Sequence, residues 1–161
     1  MLPTTSPDPQ PERPLPIPDE VRHLFESGDL EDRFGLAYEL ATVDEDGWPR
    51  VAMLSHGEIA TTPDAVQFVL WSGTSAGANL ASGRPALLSV VAEGMVCYLS
   101  GRARRLRSDS GLDAFEMAVE RVRIDSHEGF EVRSPIRFEA EEVDRASAIS
   151  EWRRQLDVLR V

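Results

Sequence analysis

Gly73-Thr74-Ser75-Ala76-Gly77 is the stretch of this chain whose residue types and spacing most invite chemistry. The letters fit G-x-S-x-G, in which a serine on a strand-to-helix turn is a nucleophile if a histidine and a carboxylate stand behind it. The same small residues could instead let hydroxyls and backbone N–H groups close on a phosphate. For the first use the base must be His23, His56 or His127. Asp125 and His127 follow Ser75 in the chain order of a hydrolase, but their two-residue spacing establishes no relay. The three histidines are too scattered to suggest a zinc site. His56 reads as a surface residue at a strand end. Cys97 has no second cysteine to pair with, and its setting, VCYL, predicts a buried, inert thiol. Gly101-Arg102-Ala103-Arg104-Arg105-Leu106-Arg107 is the one basic cluster. On a strand its alternate residues face opposite sides, so it predicts a solvated strand end paired with carboxylates.

Bulk composition narrows these uses. The chain has 161 residues, 42% of them apolar, which suits one domain with a real core but is short for an α/β-hydrolase. Its net charge is −11, and all 17 basic residues are arginine. An acidic surface argues against nucleic acid as a partner. Without lysine there is no Schiff-base chemistry, and a phosphate must be met by arginine, hydroxyls or backbone N–H groups. No basic region followed by an apolar run opens the chain, and no stretch is long enough to span a membrane. The expectation is a cytoplasmic protein.

The elements that must position these residues follow from pattern. Residues 1–18 contain seven prolines and predict a disordered arm, leaving 19–161 as the folded domain. Pro18, Asp19 and Glu20 open a helix with Val21, Leu24 and Phe25 on one face and Gly28 at its end. Two apolar runs, about 36–43 and 48–59, flank Asp46-Gly47, a hairpin turn signal. AVQFVLW (65–71) is a third strand. Thr74 caps a short helix to about Ala81, stopped near Gly83. Residues 86–93 form a fourth strand, and 95–107 a long fifth after Gly94. Residues 108–124 are predicted as a helix carrying Leu112, Phe115, Met117, Val119 and Val122 inward. SPIRFEAEEV (134–143) is the predicted sixth strand. The last helix, from 145, sets Ile149, Trp152, Leu156 and Leu159 at three- and four-residue spacing. Consecutive hairpins predict a mainly β protein, a six-stranded antiparallel barrel with peripheral helices. A hydrolase would need long parallel crossovers for which there is no room.

One combination of segments is familiar. Asp46-Gly47-Trp48-Pro49-Arg50-Val51, then Trp71-Ser72-Gly73-Thr74, Asn79-Leu80 and Arg84-Pro85-Ala86-Leu87-Leu88-Ser89-Val90 stand in an order that resembles the pyridoxamine 5′-phosphate oxidase-like, FMN-binding split-barrel superfamily. The resemblance covers about residues 30–107. It implies a split barrel, usually a homodimer with two sites at its interface, and FMN or a related cofactor such as F420, with haem in some relatives. Carried over, Met53, Leu54 and Ser55 line the flavin, Trp71 and Ser72 lie at the ring edge, and Thr74, Ser75 and Asn79 belong to the phosphate segment. His56 then has a polar contact or a weak haem ligation as alternatives to its surface reading, and Trp71 and Trp152 have core or docking roles as theirs. The chain departs from the pattern at Ala52, Ser75, Ala76 and Ala78, where flavin-binding members commonly carry basic residues. The implied function is a flavin-dependent oxidoreductase. The alternative is a non-enzymatic dimer that has lost its cofactor.

Overall fold

Every long strand pairs antiparallel with its neighbours. The structure, a computed structural model, describes residues 13–26 and 28–160. Its elements are α1 (Asp19–Glu26), β1 (Leu36–Val43), β2 (Pro49–Ser55), a 3₁₀ turn (His56–Glu58), β3 (Ile59–Thr61), β4 (Ala65–Trp71), α2 (Ser75–Ala81), β5 (Pro85–Ala92), β6 (Met95–Asp109), β7 (Leu112–Asp125), β8 (Ile136–Arg137) and α3 (Glu142–Leu159). The sheet order is β2-β1-β5-β6-β7-β4-β3, so β2 and β3 are its two edges, yet only the three-residue 3₁₀ turn separates them in the chain. The sheet therefore curls until its edges nearly meet, and the seam is closed by covalent chain rather than by a ladder. Six strands are long and two are short, in keeping with the expected antiparallel split barrel.

Turn chemistry sets the hairpins. The β1–β2 loop closes with Asp44 N–H donating to Trp48 O at 2.8 Å, and Gly47 takes φ +86°. Glu93-Gly94 and Ser110-Gly111 each place two positive φ values between paired strands, the geometry whose twist suits a two-residue hairpin. The second of these overturns one expectation. Residues 108–124 are not a helix but a hairpin turn and a fourteen-residue strand, β7. Its residues are good helix formers, but Phe115, Met117 and Val119 also alternate, and β6 on one side and β4 on the other offer them a full ladder. Tertiary pairing outweighs a propensity difference of at most about 1 kcal/mol per residue. Pairing of β6 with β7 also demands a glycine: a Cβ at Gly101 would run into the Ala118 carbonyl oxygen, and the register shifts there.

Two other boundaries move. The strand expected over 48–59 breaks at the 3₁₀ turn, and the sixth strand expected over 134–143 survives only as Ile136–Arg137, paired to the start of β1. The sixth long strand is β7. The core, built on Tyr38, Leu40, Phe68, Leu88, Leu99, Phe115 and Met117, lies inside the curl. Domain packing begins before residue 19: Leu15 and Ile17 N–H donate to Val119 and Pro63 carbonyls, and Ile17 is buried. Of the expected arm, residues 1–12 lie outside the described residues. α3 docks through Trp152 onto Gly57, where any Cβ would meet the indole, which makes Trp152 a docking residue. Among the described residues no helix is long and apolar enough to cross a membrane.

Candidate functional site

The β1–β2 hairpin, the short helix α2 and the segment entering β5 meet around a cleft of about 610 Å³ lined by Asp44, Glu45, Asp46, Arg50, Ser75, Ala78, Asn79 and Arg84. Each wall has a local reason. Thr74, extended at φ −76° and ψ 151°, caps α2 by accepting from Gly77 N–H at 3.1 Å. One turn later this puts Asn79 against β1, where its amide donates to Thr42 Oγ1 at 3.1 Å and to Asp44 Oδ1 at 2.8 Å. Arg84 donates to Asn79 Oδ1 at 3.2 Å. From β2, Arg50 Nε donates to both oxygens of Asp44, at 3.0 and 3.2 Å. The hydrogen bonds from Arg50 and Asn79 hold the Asp44 carboxyl below its usual pKa. Arg50 and Arg84 line the cleft together with Ser75, and Asp44, Glu45 and Asp46 line it too, so two guanidiniums stand with three carboxylates.

The expected site residues do not all converge. Ser75 and Asn79 line this cleft, and Thr74 spends its hydroxyl on the helix cap. Met53 stands 46% exposed on the outer face of β2, whereas Leu54, next along the strand, is buried in the core. Strand alternation forces that split, so the two cannot line one surface. Ser55 is tied to Glu58, which accepts from its N–H and Oγ–H at 2.7 and 2.8 Å. Trp71, half exposed at the end of β4, has the Arg154 guanidinium 5.9 Å from its ring centre. Ser72 donates to Asp113 at 3.0 Å. Asp113 is buried, also accepts from Ser108, and is held below the usual carboxylate range chiefly by that bond. It anchors the β6–β7 turn, and a helical reading of 108–124 hid it.

His56 is not a surface residue. It is buried, 2.9 Å from the Tyr38 hydroxyl through Nδ1, and stacked on Phe25. Burial lowers its pKa from 6.5 to about 4, with the charge of Arg33 adding to the shift. It is thus a neutral core histidine. The thiol of Cys97 is buried and its pKa is pushed up to about 11, which makes it inert. Arg102 and Arg104 pair with Glu120 and Glu116, as a solvated strand end should.

A serine relay through Asp125 and His127 is ruled out by the same geometry. Ser75 follows Trp71, which pairs with Leu112 at the start of β7, while Asp125 closes the far end of that strand. Roughly 40 Å of strand separates them. β4 and β5 are not neighbours, so no parallel pair carries a nucleophile elbow.

No family model matches the chain. Among curated proteins it is similar to the uncharacterized protein YclD of Bacillus subtilis strain 168, at 26% identity over 147 residues, 88% of this chain and 94% of the other. Among solved structures it resembles a candidate pyridoxamine 5′-phosphate oxidase of Lactobacillus delbrueckii, with a TM-score of 0.53 and 19% identity over 66% of this chain and 93% of that one. HupZ of group A Streptococcus gives a TM-score of 0.52 at 13% identity, over 76% and 99%. A heme binding protein of Mycobacterium smegmatis gives 0.51 at 17%, over 71% and 57%. The fold is that of the pyridoxamine 5′-phosphate oxidase-like split barrels.

Proposed function

We propose that this chain is a homodimeric oxidoreductase that holds a flavin-type cofactor, FMN or the deazaflavin F420, in a groove at its subunit interface. The observation that carries the reading is the convergence of Arg50, Arg84 and the Ser75 hydroxyl on one cleft. On this reading Arg50 and Arg84 supply the positive charge that Ala52, Ser75, Ala76 and Ala78 do not, set against the carboxylates of Asp44, Glu45 and Asp46. Charge-assisted hydrogen bonds to a phosphate are roughly twice as strong as neutral ones. Asp44 and Asn79 hold the two guanidiniums in place, so less side-chain entropy is lost when an anionic tail binds. Such a cofactor supplies the redox chemistry. The chain's part is to bind its tail through Arg50, Arg84 and Ser75 and to cover its ring with exposed aromatic surface, for which Trp48 and Trp71 are available. Haem fits less well, because His56 is buried and committed to Tyr38.

The homodimer rests on the outer face of β2, β1 and β5. Val51 (57% exposed) stands in register with Ala41 and Leu87, and Met53 points outward in the next row, in register with Glu39 and Ser89. A second reading, a dimer without cofactor, is favoured by the Asp44, Glu45 and Asp46 carboxylates that line the same cleft. Purified protein separates the two. The flavin reading expects yellow protein, or apoprotein that quenches added FMN or F420 fluorescence at micromolar concentration and melts higher with it. Arg84→Gln should weaken that binding about tenfold, about 1.4 kcal/mol. Protein that is colourless and indifferent to both cofactors would leave the cofactor-free dimer.

A further inference from the structure

Many guanidiniums in this chain find carboxylates, as in Arg102–Glu120 at 2.9 Å, Arg104–Glu116 at 2.7 Å and Arg154–Glu151 at 2.6 Å, while Arg84, Arg107 and Arg145 donate to amide or backbone oxygens. One cleft gathers arginines with few partners of either kind. A cleft of about 500 Å³ is walled by α1, the turn before β1, the end of β5 and residues 133–137. Arg33, Arg133 and Arg137 all line it. Arg33 Nε is buried and has no hydrogen-bond partner. Arg137 makes no side-chain hydrogen bond or ion pair among the described residues. Arg133 is 87% exposed and reaches only Glu131, at 4.0 Å. Glu20, Asp32 and Glu93 also line the cleft, but among the described residues none forms an ion pair with these arginines. Leu24, Leu36, Val91 and Pro135 give it apolar surface.

The cleft thus gathers three guanidiniums from two parts of the chain: Arg33 and Arg137 have no ion pair among the described residues, and Arg133 has only the long one to Glu131. A buried donor without an acceptor is costly, and the cost disappears when an acceptor arrives. We propose that this cleft is an anion-binding site for a small molecule carrying a carboxylate or a phosphate monoester on an apolar body. Guanidinium forks match both oxyanions with paired hydrogen bonds, and the volume lies in the usual range for small-ligand pockets. The site lies at Leu36, the start of β1, while the cleft of Arg50 and Arg84 lies past Val43, the other end of that strand. Roughly 25 Å of strand separates them, so this proposal does not depend on a flavin binding at the other.

Calorimetric titration of the full-length protein at low ionic strength tests it. The probes are phenyl phosphate and benzoate, with benzyl alcohol as the neutral body. The expected result is one saturable site for at least one anion and none for the alcohol. Arg137→Gln, on an exposed two-residue strand, should weaken binding tenfold or more, and Arg104→Gln on the paired face should not. Arg33→Gln should show the same loss. Because Arg33 stands near Tyr38 and His56, its variant is first checked for a wild-type melting profile, and Arg137→Gln carries the test if it fails that check. The stronger of the two anions identifies the head group. No saturable heat from either, or an unchanged affinity in Arg137→Gln, overturns the proposal.

Discussion

The outer surface of the barrel sheet is finished in two different ways. Across β4, β7 and β6 it is a polar row: Gln67 donates to Glu116 at 3.0 Å, Arg104 pairs with the same carboxylate, and Arg102 pairs with Glu120. Across β2, β1 and β5 it has an apolar row of Val51, Ala41 and Leu87, followed by a row in which exposed Met53 stands opposite Glu39 and Ser89. The two surfaces share one sheet and its interior core, and a second apolar cluster joins Val69, Leu112 and Ala114 of β4 and β7 to Val158 and Leu159 of α3. A surface meant for water carries cross-strand charge pairs, whereas a surface meant for a second chain leaves apolar side chains outward. That contrast supports the proposed dimer.

The largest expected effect comes from breaking the apolar surface. Val51→Asp with Met53→Asp should raise the dimer dissociation constant by about a thousandfold, about 4 kcal/mol, because it buries unpaired charge at the interface. Light scattering behind size exclusion reads the result. An unchanged dimer would place the interface elsewhere.

A smaller effect concerns the core both surfaces share. His56 has a pKa near 4 when folded and 6.5 when exposed, so between those values the unfolded chain binds a proton that the folded chain does not. Its contribution to stability is complete above about pH 6.5 and is lost on acidification toward pH 4, by about 3 kcal/mol in all. Urea midpoints measured across that range should fall, and His56→Asn should flatten the slope. Equal slopes in the two proteins would contradict the buried, neutral state of His56. If the dimer dissociates in the same pH range, the apolar surface and the core are coupled.

Next in size is Arg50→Gln, which leaves the outer surfaces intact. It should weaken FMN binding about tenfold, about 1.4 kcal/mol, without altering the dimer. A parallel loss of dimer would mean that the hairpin itself is part of the interface. The smallest change is expected on the polar row. Arg104→Gln removes a pair whose arginine is 70% exposed and should cost about 0.2–1 kcal/mol, less at high salt. Thermal melts at two salt concentrations check this. A loss of several kcal/mol would mean that the row is a structural network rather than a solvated finish.

Much of this was legible in residue order. Asp46-Gly47 marked the first hairpin, Thr74 and Gly83 bracketed α2, and the unpaired Cys97 in its apolar run predicted an inert thiol. β7 was obscured because Glu, Ala, Met and Arg favour a helix locally. The Ser110-Gly111 turn and the alternation of Phe115, Met117 and Val119 were the signals for a strand. Ser75 and Asn79 were readable as neighbours on one short helix. Arg50 and Arg84, thirty-four residues apart, could be noticed as candidates but not assigned to one cleft.

Local chemistry, in short-range turn and alternation patterns, determined that this chain makes antiparallel hairpins around one apolar interior. The curl of the sheet decided which distant charges meet. It brings Arg50 and Arg84 together beside Ser75, leaves Arg33 and Arg137 facing a cleft without ion-pair partners, and takes His56 out of water. The physical reason is range. A turn or a helix cap is fixed by residues within a few positions of one another, whereas burial and Coulombic pairing depend on distance through space, which exists only once the barrel has closed.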